Sequence, residues 1–385
     1  GLTGYFEKFL DENIIFENKK LLQTSYMPDT VIHRDKEINS IASILAPALK
    51  EDKPSNLFVY GKTGTGKTLT VKHITNNMLK ISDERDISLQ IIYLNCKMKR
   101  IADTEYRLVA QLIKEMNEEV PYTGLPTDEV YNKFFRILKK SKIKILLIVL
   151  DELDQLIKKA GDEVIYNLTR INSEVAGTQI SIIGISNNLL FTEEIDPRVK
   201  SSLSEEEVVF APYNALQLKD ILTKRSDKAF KENILEKGVI EKCAAYSARE
   251  HGDARRALDL LRVAGELAER KGLKKVRIDH IDQAEEKIEK ERILEIIKTQ
   301  PKQSQVTLLS IILLFEKNAG SVFTGDVYEV YKKLCMKTDL RPLTQRRISD
   351  MLGELDMLGV INAIVISKGR YGRTREIKSD LSHTL

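Results

Sequence analysis

Four near-continuous aliphatic runs mark the first half of the chain: "NLFVYG" at 56–61, "LQIIYLNC" at 89–96, "KILLIVLDE" at 144–152 and "ISIIGISNN" at 180–188. Between them the apolar residues recur every three or four positions. A strand that is apolar on both faces is buried on both, so this alternation predicts a parallel sheet covered by helices on each side. Ahead of the first strand the pattern predicts an amphipathic helix, an extended stretch broken by Pro28, and a helix starting near Asp35. Together, residues 1–212 read as an α/β core.

After Pro212 the strand pattern stops. "KRSDKAF", "EKCAAYSARE", "ARRALDLLRVAGELAERKG" and "IDHIDQAEEKIEKERILEIIK" are successive helices with Gly272 as a C-cap, which makes residues 213–299 an all-α domain. Pro301 opens a third region, 300–385. It holds three helical patterns, "VTLLSIILLFEKN", "FTGDVYEVYKKLCMK" and "LTQRRISDMLGELDMLG", then two strand-like runs, "VINAIVIS" and "TREIKS", joined by "KGRYG". Three helices followed by a β-hairpin is the layout of a winged helix.

Composition narrows the class. The chain has 385 residues, 42% hydrophobic and 31% charged, which fits two or three water-facing globular domains. Its longest aliphatic run, Ile145 to Leu150, is far short of the roughly 20 residues that span a bilayer, and no charged-then-apolar leader opens it. The expectation is a cytoplasmic, nucleoid-associated protein with no membrane partner. Cys96, Cys243 and Cys335 lack any metal or redox spacing and read as buried thiols. From Pro301 onward 13 Lys and Arg face 9 Asp and Glu, a surplus of 4; the whole chain has 61 against 57, also a surplus of 4. The excess positive charge therefore sits in the tail and points to a polyanion partner, with a solvated basic face as the alternative.

The chemistry starts at Gly61-Lys62-Thr63-Gly64-Thr65-Gly66-Lys67-Thr68, a complete phosphate loop between a strand and a helix. Gly61, Gly64 and Gly66 let the backbone turn its N–H groups, with those of Thr63, Thr65 and Leu69, toward phosphates at a helix N-terminus. Lys67 would reach the β- and γ-phosphates of ATP or ADP, and the Thr68 hydroxyl would hold Mg²⁺. A chance match in such a chain has odds on the order of one per cent. About 80 residues on, an aliphatic strand ends in Asp151 and Glu152. Asp151 suits the metal, usually through water, and Glu152 suits the attacking water as base.

This combination resembles the AAA+ ATPases. With the features below it resembles the archaeal initiators of DNA replication, related to the origin recognition complex and the helicase loader of eukaryotes. The resemblance covers nearly the whole chain and implies an AAA+ P-loop ATPase core, an all-α lid and a C-terminal winged helix. It also implies residue roles. "GISNN" matches the first sensor, placing Asn187 at the γ-phosphate or water. "HGDARRALDLLR" matches the second sensor, with Arg255 aimed at the nucleotide from the lid. "VIHRDKEI" matches the adenine-side segment, with Val31, Ile32 and the backbone around His33 and Arg34. In "DPRVKSSL", Arg198 matches the arginine that reaches a neighbour's ATP, but Ser202 stands where many relatives carry a second arginine. Slow hydrolysis with long-lived bound nucleotide is the expectation that follows. The implied partners are double-stranded origin DNA, other initiator paralogues on DNA and the replicative minichromosome maintenance helicase.

Helical phase in the tail puts Ile348, Leu352, Leu355 and Leu358 on one apolar stripe and turns Thr344, Gln345, Arg347 and part of Arg346 outward. An outward N-terminal face on a third helix is what a helix-turn-helix offers the major groove. The hairpin would project Arg370, Tyr371 and Arg373 beside it as a wing. By resemblance, an inserted helical hairpin also touches DNA, here at Tyr122, Thr123, Gly124, Leu125 and Pro126, although "PYTGLP" also fits an ordinary interhelical loop. Winged helices also dock proteins. Two other classes therefore stay open: a signalling ATPase with an internally packed winged helix, and a clamp-loader-like ATPase.

Overall fold

The computed structural model describes residues 15–98, 103–121, 124–175, 177–317, 322–367 and 373–378. The chain divides into two compact units, Gly1–Arg277 and Ile278–Leu385. Among the described residues no helix is long and apolar enough to cross a membrane.

In the first unit the predicted runs form β1 (Leu57–Gly61), β2 (Leu89–Asn95), β3 (Ile145–Asp151) and β4 (Gln179–Ser186). A fifth strand, β5 (Glu206–Phe210), is absent from the sequence reading because its first two residues are exposed glutamates and only Val208 and Phe210 face inward. All pairings are parallel, in the order β2-β3-β4-β1-β5. The expected double-sided burial is present: all seven residues of β3 are buried. Leu146, Ile148 and Leu150 pack on one face with Phe134, Leu108 and Leu112, while Leu147 and Val149 pack on the other with Ile41, Val71 and Ile74. Helices α1 (Asp35–Leu45) and α2 (Lys67–Arg85) supply the second face. The first face receives α3 (Glu105–Glu115), α4 (Thr127–Lys140), α5 (Leu153–Ala160) and α6 (Glu163–Arg170). Short helices α7 (Phe191–Glu194) and α8 (Pro197–Leu203) lead from β4 to β5.

The helical region follows. A capping box of Asn214 and Gln217 opens α9 (Ala215–Ala229); α10 (Val239–Arg249) and α11 (Ala254–Arg270) complete it, and Gly272, at φ +64°, terminates α11 as its spacing predicted. The segment from Ile15 to Leu22 lies on these helices: Phe16 packs on Phe230 and Lys19 pairs with Glu266 at 2.8 Å. Gly265 has no room for a side chain because the Phe16 ring lies where its Cβ would be.

The second unit comprises α12 (Ile278–Thr299), α13 (Lys302–Lys317), β6 (Val322–Phe323), α14 (Thr324–Lys337), α15 (Gln345–Met357), β7 (Asn362–Ser367) and β8 (Arg373–Lys378). The strands form an antiparallel sheet ordered β6-β8-β7, so the expected hairpin gains the two-residue β6, too short to leave a pattern. The apolar stripe of α15 is Ile348, Met351, Leu352 and Leu355. Leu358 is 38% exposed, a correction: the helix ends before it, and Met351 takes the fourth core position. Cys96, Cys243 and Cys335 are buried free thiols, as expected.

Tyr331 of α14 is the largest fully buried side chain. Its hydroxyl donates to Gln303 Oε1 at 2.5 Å and accepts the Leu343 N–H at 3.1 Å, pinning the turn that leads into α15. Tyr331→Phe is expected to cost about 1–2 kcal/mol and to speed amide exchange at Leu343; unchanged protection at that amide would contradict the anchor.

Candidate nucleotide site

Sheet order builds the site. Because β4 lies between β1 and β3, the phosphate loop, the residue after β4 and the carboxylates ending β3 emerge side by side at the strands' C-terminal ends, where open parallel sheets present ligand sites. Lys67, Thr68, Leu69, Asp151, Glu152 and Asn187 line one cleft of about 580 Å³ with Gly64, Gly66, Val31, Ile32 and, from α11, Arg255.

Gly64 and Gly66 have φ of +73° and +92°, conformations that side chains resist. The space above each is taken: a Cβ on Gly64 would strike the Asp253 carboxylate and one on Gly66 the Tyr213 hydroxyl. The lid is thus seated on the loop. Ala254 N donates to Gly64 O at 3.1 Å, and Asp253 Oδ1 caps α11 by accepting from Arg255 N at 2.7 Å and Arg256 N at 3.2 Å.

The Lys67 ammonium is 4% exposed and donates to Gly61 O at 2.7 Å and Lys62 O at 2.8 Å. Burial brings its pKa down to about 8, against the pull of Asp151, and the nearby Arg255 charge pushes the same way as burial. Asp154 and Asp253 pull the same way as Asp151, so the buried ammonium lies between its carbonyl cage and three carboxylates. Thr68 Oγ1 lies 3.0 Å and 3.2 Å from the two Asp151 oxygens. Asp151 also accepts from the Tyr93 hydroxyl and from Glu152 N, at 3.0 Å for the latter. Burial and the Asp151 charge push the Tyr93 phenol up, so it stays a donor. Glu152, at φ +57°, points its carboxylate to within 3.9 Å of the Lys97 ammonium. Among the described residues no three His, Cys, Asp or Glu side chains form a metal site by themselves. Thr68 and Asp151 could hold Mg²⁺ only together with phosphate oxygens, and their spacing fits that role.

Several expected residues lie outside the cleft lining. Gly61 closes on Phe210 O, where a Cβ would fall 2.4 Å away. Thr65 is buried, with Oγ1 donating to Lys62 O at 2.9 Å, and Thr63 is exposed. His33 pairs with Asp220 of α9 at 2.9 Å. Arg34 is 3% exposed: it donates to Thr65 O at 2.9 Å, Glu37 Oε1 at 2.7 Å and Ala211 O at 2.5 Å, and stacks 4.0 Å from the Tyr213 ring centre. Arg198 binds its own helix cap, Asp196, through Nε at 3.1 Å and Nη2 at 3.0 Å.

Residues missed in the sequence complete the cleft. Tyr93 and Asn95 end β2, and Lys72 lies 4.1 Å from the Tyr93 ring centre; the period-2 alternation of β2 was the available signal for Tyr93. Tyr26, stacked 4.6 Å from Arg225, and Ile221 and Leu258 of the lid are brought in by tertiary folding alone.

In the second unit Thr344, Gln345, Arg346 and Arg347 are all exposed at the start of α15. Thr344 caps the helix, and Arg347 pairs with Glu354 at 3.3 Å. Arg370 and Tyr371 lie outside the described residues, as do Tyr122 and Thr123; Arg373 begins β8. Gly124, Leu125 and Pro126 are exposed between α3 and α4, with Gly124 at φ +107°.

Known proteins match this architecture. Family models match as "CDC6, C terminal winged helix domain" over residues 295–384, "Cdc6 AAA+ ATPase-type lid domain" over 219–286 and "Bacterial TniB protein" over 29–206. The ORC1-type DNA replication protein of Pyrococcus abyssi is 55% identical over 385 residues, 99% of this chain and 91% of that protein. The chain belongs to the ORC1-type DNA replication protein family. ORC1-type DNA replication protein 1 of Methanosarcina mazei is 50% identical over 381 residues, 98% of this chain and 90% of that one. The Aeropyrum pernix ORC1 protein, solved in complex with DNA, superposes with a TM-score of 0.81 at 43% identity, over 96% of this chain and 94% of that chain. Cdc6p of Pyrobaculum aerophilum shares the fold, with a TM-score of 0.61 at 18% identity over 94% of both chains. The AAA+ core, lid and winged helix expected from the sequence are therefore those of this family, and the signalling and clamp-loader alternatives fall with that membership.

Arg34→Lys is expected to destabilise the first unit by about 3 kcal/mol in urea unfolding, because one ammonium cannot replace a planar donor set with partners on three segments. A cost below about 1 kcal/mol would show that the clamp is dispensable.

Proposed function

We propose that this ORC1-type replication initiator binds ATP in the cleft at the ends of β1, β4 and β3, hydrolyses it slowly with Mg²⁺, and holds origin duplex DNA. The observation that carries the nucleotide reading is the convergence on one cleft of Lys67, Thr68, Asp151, Glu152 and Asn187 with a lid arginine, Arg255.

In this reading the glycine-permitted loop directs backbone N–H groups at the phosphates and the Lys67 ammonium completes their neutralisation. Mg²⁺, when bound, would supply positive charge to the phosphate oxygens. Thr68 and Asp151 would hold it, and Tyr93 fixes the Asp151 carboxylate. Glu152 takes the proton of the attacking water, Asn187 orients that water, and Arg255 stabilises the γ-phosphate charge from the lid. Val31 and Ile32, with Tyr26, Ile221 and Leu258, form the apolar wall for the base. Slow turnover is supported by α8: its one arginine, Arg198, is engaged by Asp196, and Ser202 donates to Arg198 O at 3.0 Å.

For DNA, Gln345 and Arg346 at the exposed start of α15 would read base edges, and Arg347 would join them by leaving an exposed pair worth under about 1 kcal/mol. Arg370, Tyr371 and Arg373 would form the wing, and the turn from Tyr122 to Pro126 a second contact. Support comes from the basic surplus of the tail and from the DNA-bound Aeropyrum relative. Action with initiator paralogues and recruitment of the minichromosome maintenance helicase, in a nucleoid-associated pool, complete the proposal. The domains would be 1–212, 213–299 and 300–385.

Calorimetry tests the site. Lys67→Ala should lose ATP binding, whereas Glu152→Gln should bind ATP as the parent does and stop turnover, since an amide fills the same volume without accepting a proton. Retained ATP affinity in the first variant, or normal hydrolysis in the second, would contradict the assignment.

A further inference from the structure

A glycine lies in the middle of α15, the helix placed to meet DNA. Glycine is the poorest helix former after proline, so Gly353 needs a reason. The space its side chain would occupy holds the end of Arg375, from β8: an added Cβ would fall 2.8 Å from Nη2 and 3.2 Å from Cζ. Arg375 reaches this position because its backbone is tied to the start of α14, with Arg375 N donating to Thr324 Oγ1 at 3.1 Å. Its guanidinium therefore lies against the helix at Gly353.

The face matters. Ile348, Met351, Leu352 and Leu355 point into the core, which puts Gly353 on the opposite, outward side. Gly353 follows Arg346 by seven residues, nearly two turns, or about 10 Å along the axis. The Arg375 guanidinium thus occupies the row of the helix surface that Arg346 begins. Among the described residues neither Arg346 nor Arg375 makes an ion pair, whereas Arg347 on a neighbouring row is paired with Glu354. Two positive groups lie on one row, the second lent by the sheet through a glycine notch, with the exposed Asp350 between them.

We propose that Arg375 is a DNA-backbone contact delivered across α15 by the Gly353 notch, so that the sheet places a phosphate contact beside the helix start that reads bases. This rests on the DNA-binding reading above and adds a residue to it. A half-buried guanidinium held against a helix loses less freedom on binding than a solvated arginine, and its planar fork suits phosphate oxygens.

The test uses the full chain with origin and random duplexes, titrated at several salt concentrations. Arg375→Gln should weaken both duplexes by a similar factor, several-fold, and make the slope of log affinity against log salt shallower by about one. Gly353→Ala should melt no lower than the parent, since alanine favours the helix and only a flexible side-chain end must move, yet should bind both duplexes less tightly. Stability and affinity then move in opposite directions, which a merely structural notch would not produce. Parent-like affinity and slope in Arg375→Gln overturn the proposal, and so does a fall in its melting temperature that accounts for the lost binding. Parent-like binding by Gly353→Ala overturns the role of the notch. A parent chain that binds neither duplex overturns the DNA reading itself, and this inference with it.

Discussion

One buried guanidinium organises the first unit. Arg34 joins the start of α1 through Glu37, the phosphate loop through Thr65 O and the connection to the lid through Ala211 O, while stacking on Tyr213. Tyr213 in turn sets its hydroxyl over Gly66. Segments as far apart in sequence as positions 34 and 211 are thereby fixed around the loop that must meet phosphate. An arginine can do this because its donors lie in one plane and point in several directions, and because it stays charged when buried. In its absence the buried Thr65 would be left with an unmet carbonyl, which is the expensive condition in a protein interior.

Around that clamp the site gathers opposed charges. Lys67 is caged by carbonyls with its pKa brought down to about 8, and Arg255 adds a second positive charge nearby. Asp151 is the main counter-charge, shared between Thr68 and Tyr93. The lid is seated on the loop through Ala254 and Asp253.

Much of this was legible in the sequence because it depends on local patterns. The phosphate loop, the aliphatic strand ending in Asp151 and Glu152, the helical lid with its Gly272 cap and the three helices of the winged helix each follow from spacing or turn chemistry. The rest depends on partners far away in the chain. The backbone around Arg34 read as adenine-side, but the clamp made by its side chain was hidden, since neither Thr65 nor Ala211 announces that it will accept from it. Strand β5 escaped because an edge strand with Glu206 and Glu207 looks like a loop. Leu358 fits the helical phase of α15, but the helix stops one residue earlier and Met351 takes the buried place. Gly353 carries no signal in the sequence; only the path of β8 shows what fills it.

The proposed chemistry falls in separate units: the nucleotide cleft in Gly1–Arg277 and an exposed polar helix start in Ile278–Leu385. Their joint presence in an ORC1-type chain makes origin recognition the central claim. DNase I footprinting of the purified chain across fragments of its source genome, with excess random competitor DNA, tests it most directly. Protection is expected at a few discrete segments that survives the competitor. Uniform protection that the competitor removes, or no protection at all, would contradict an origin-reading initiator.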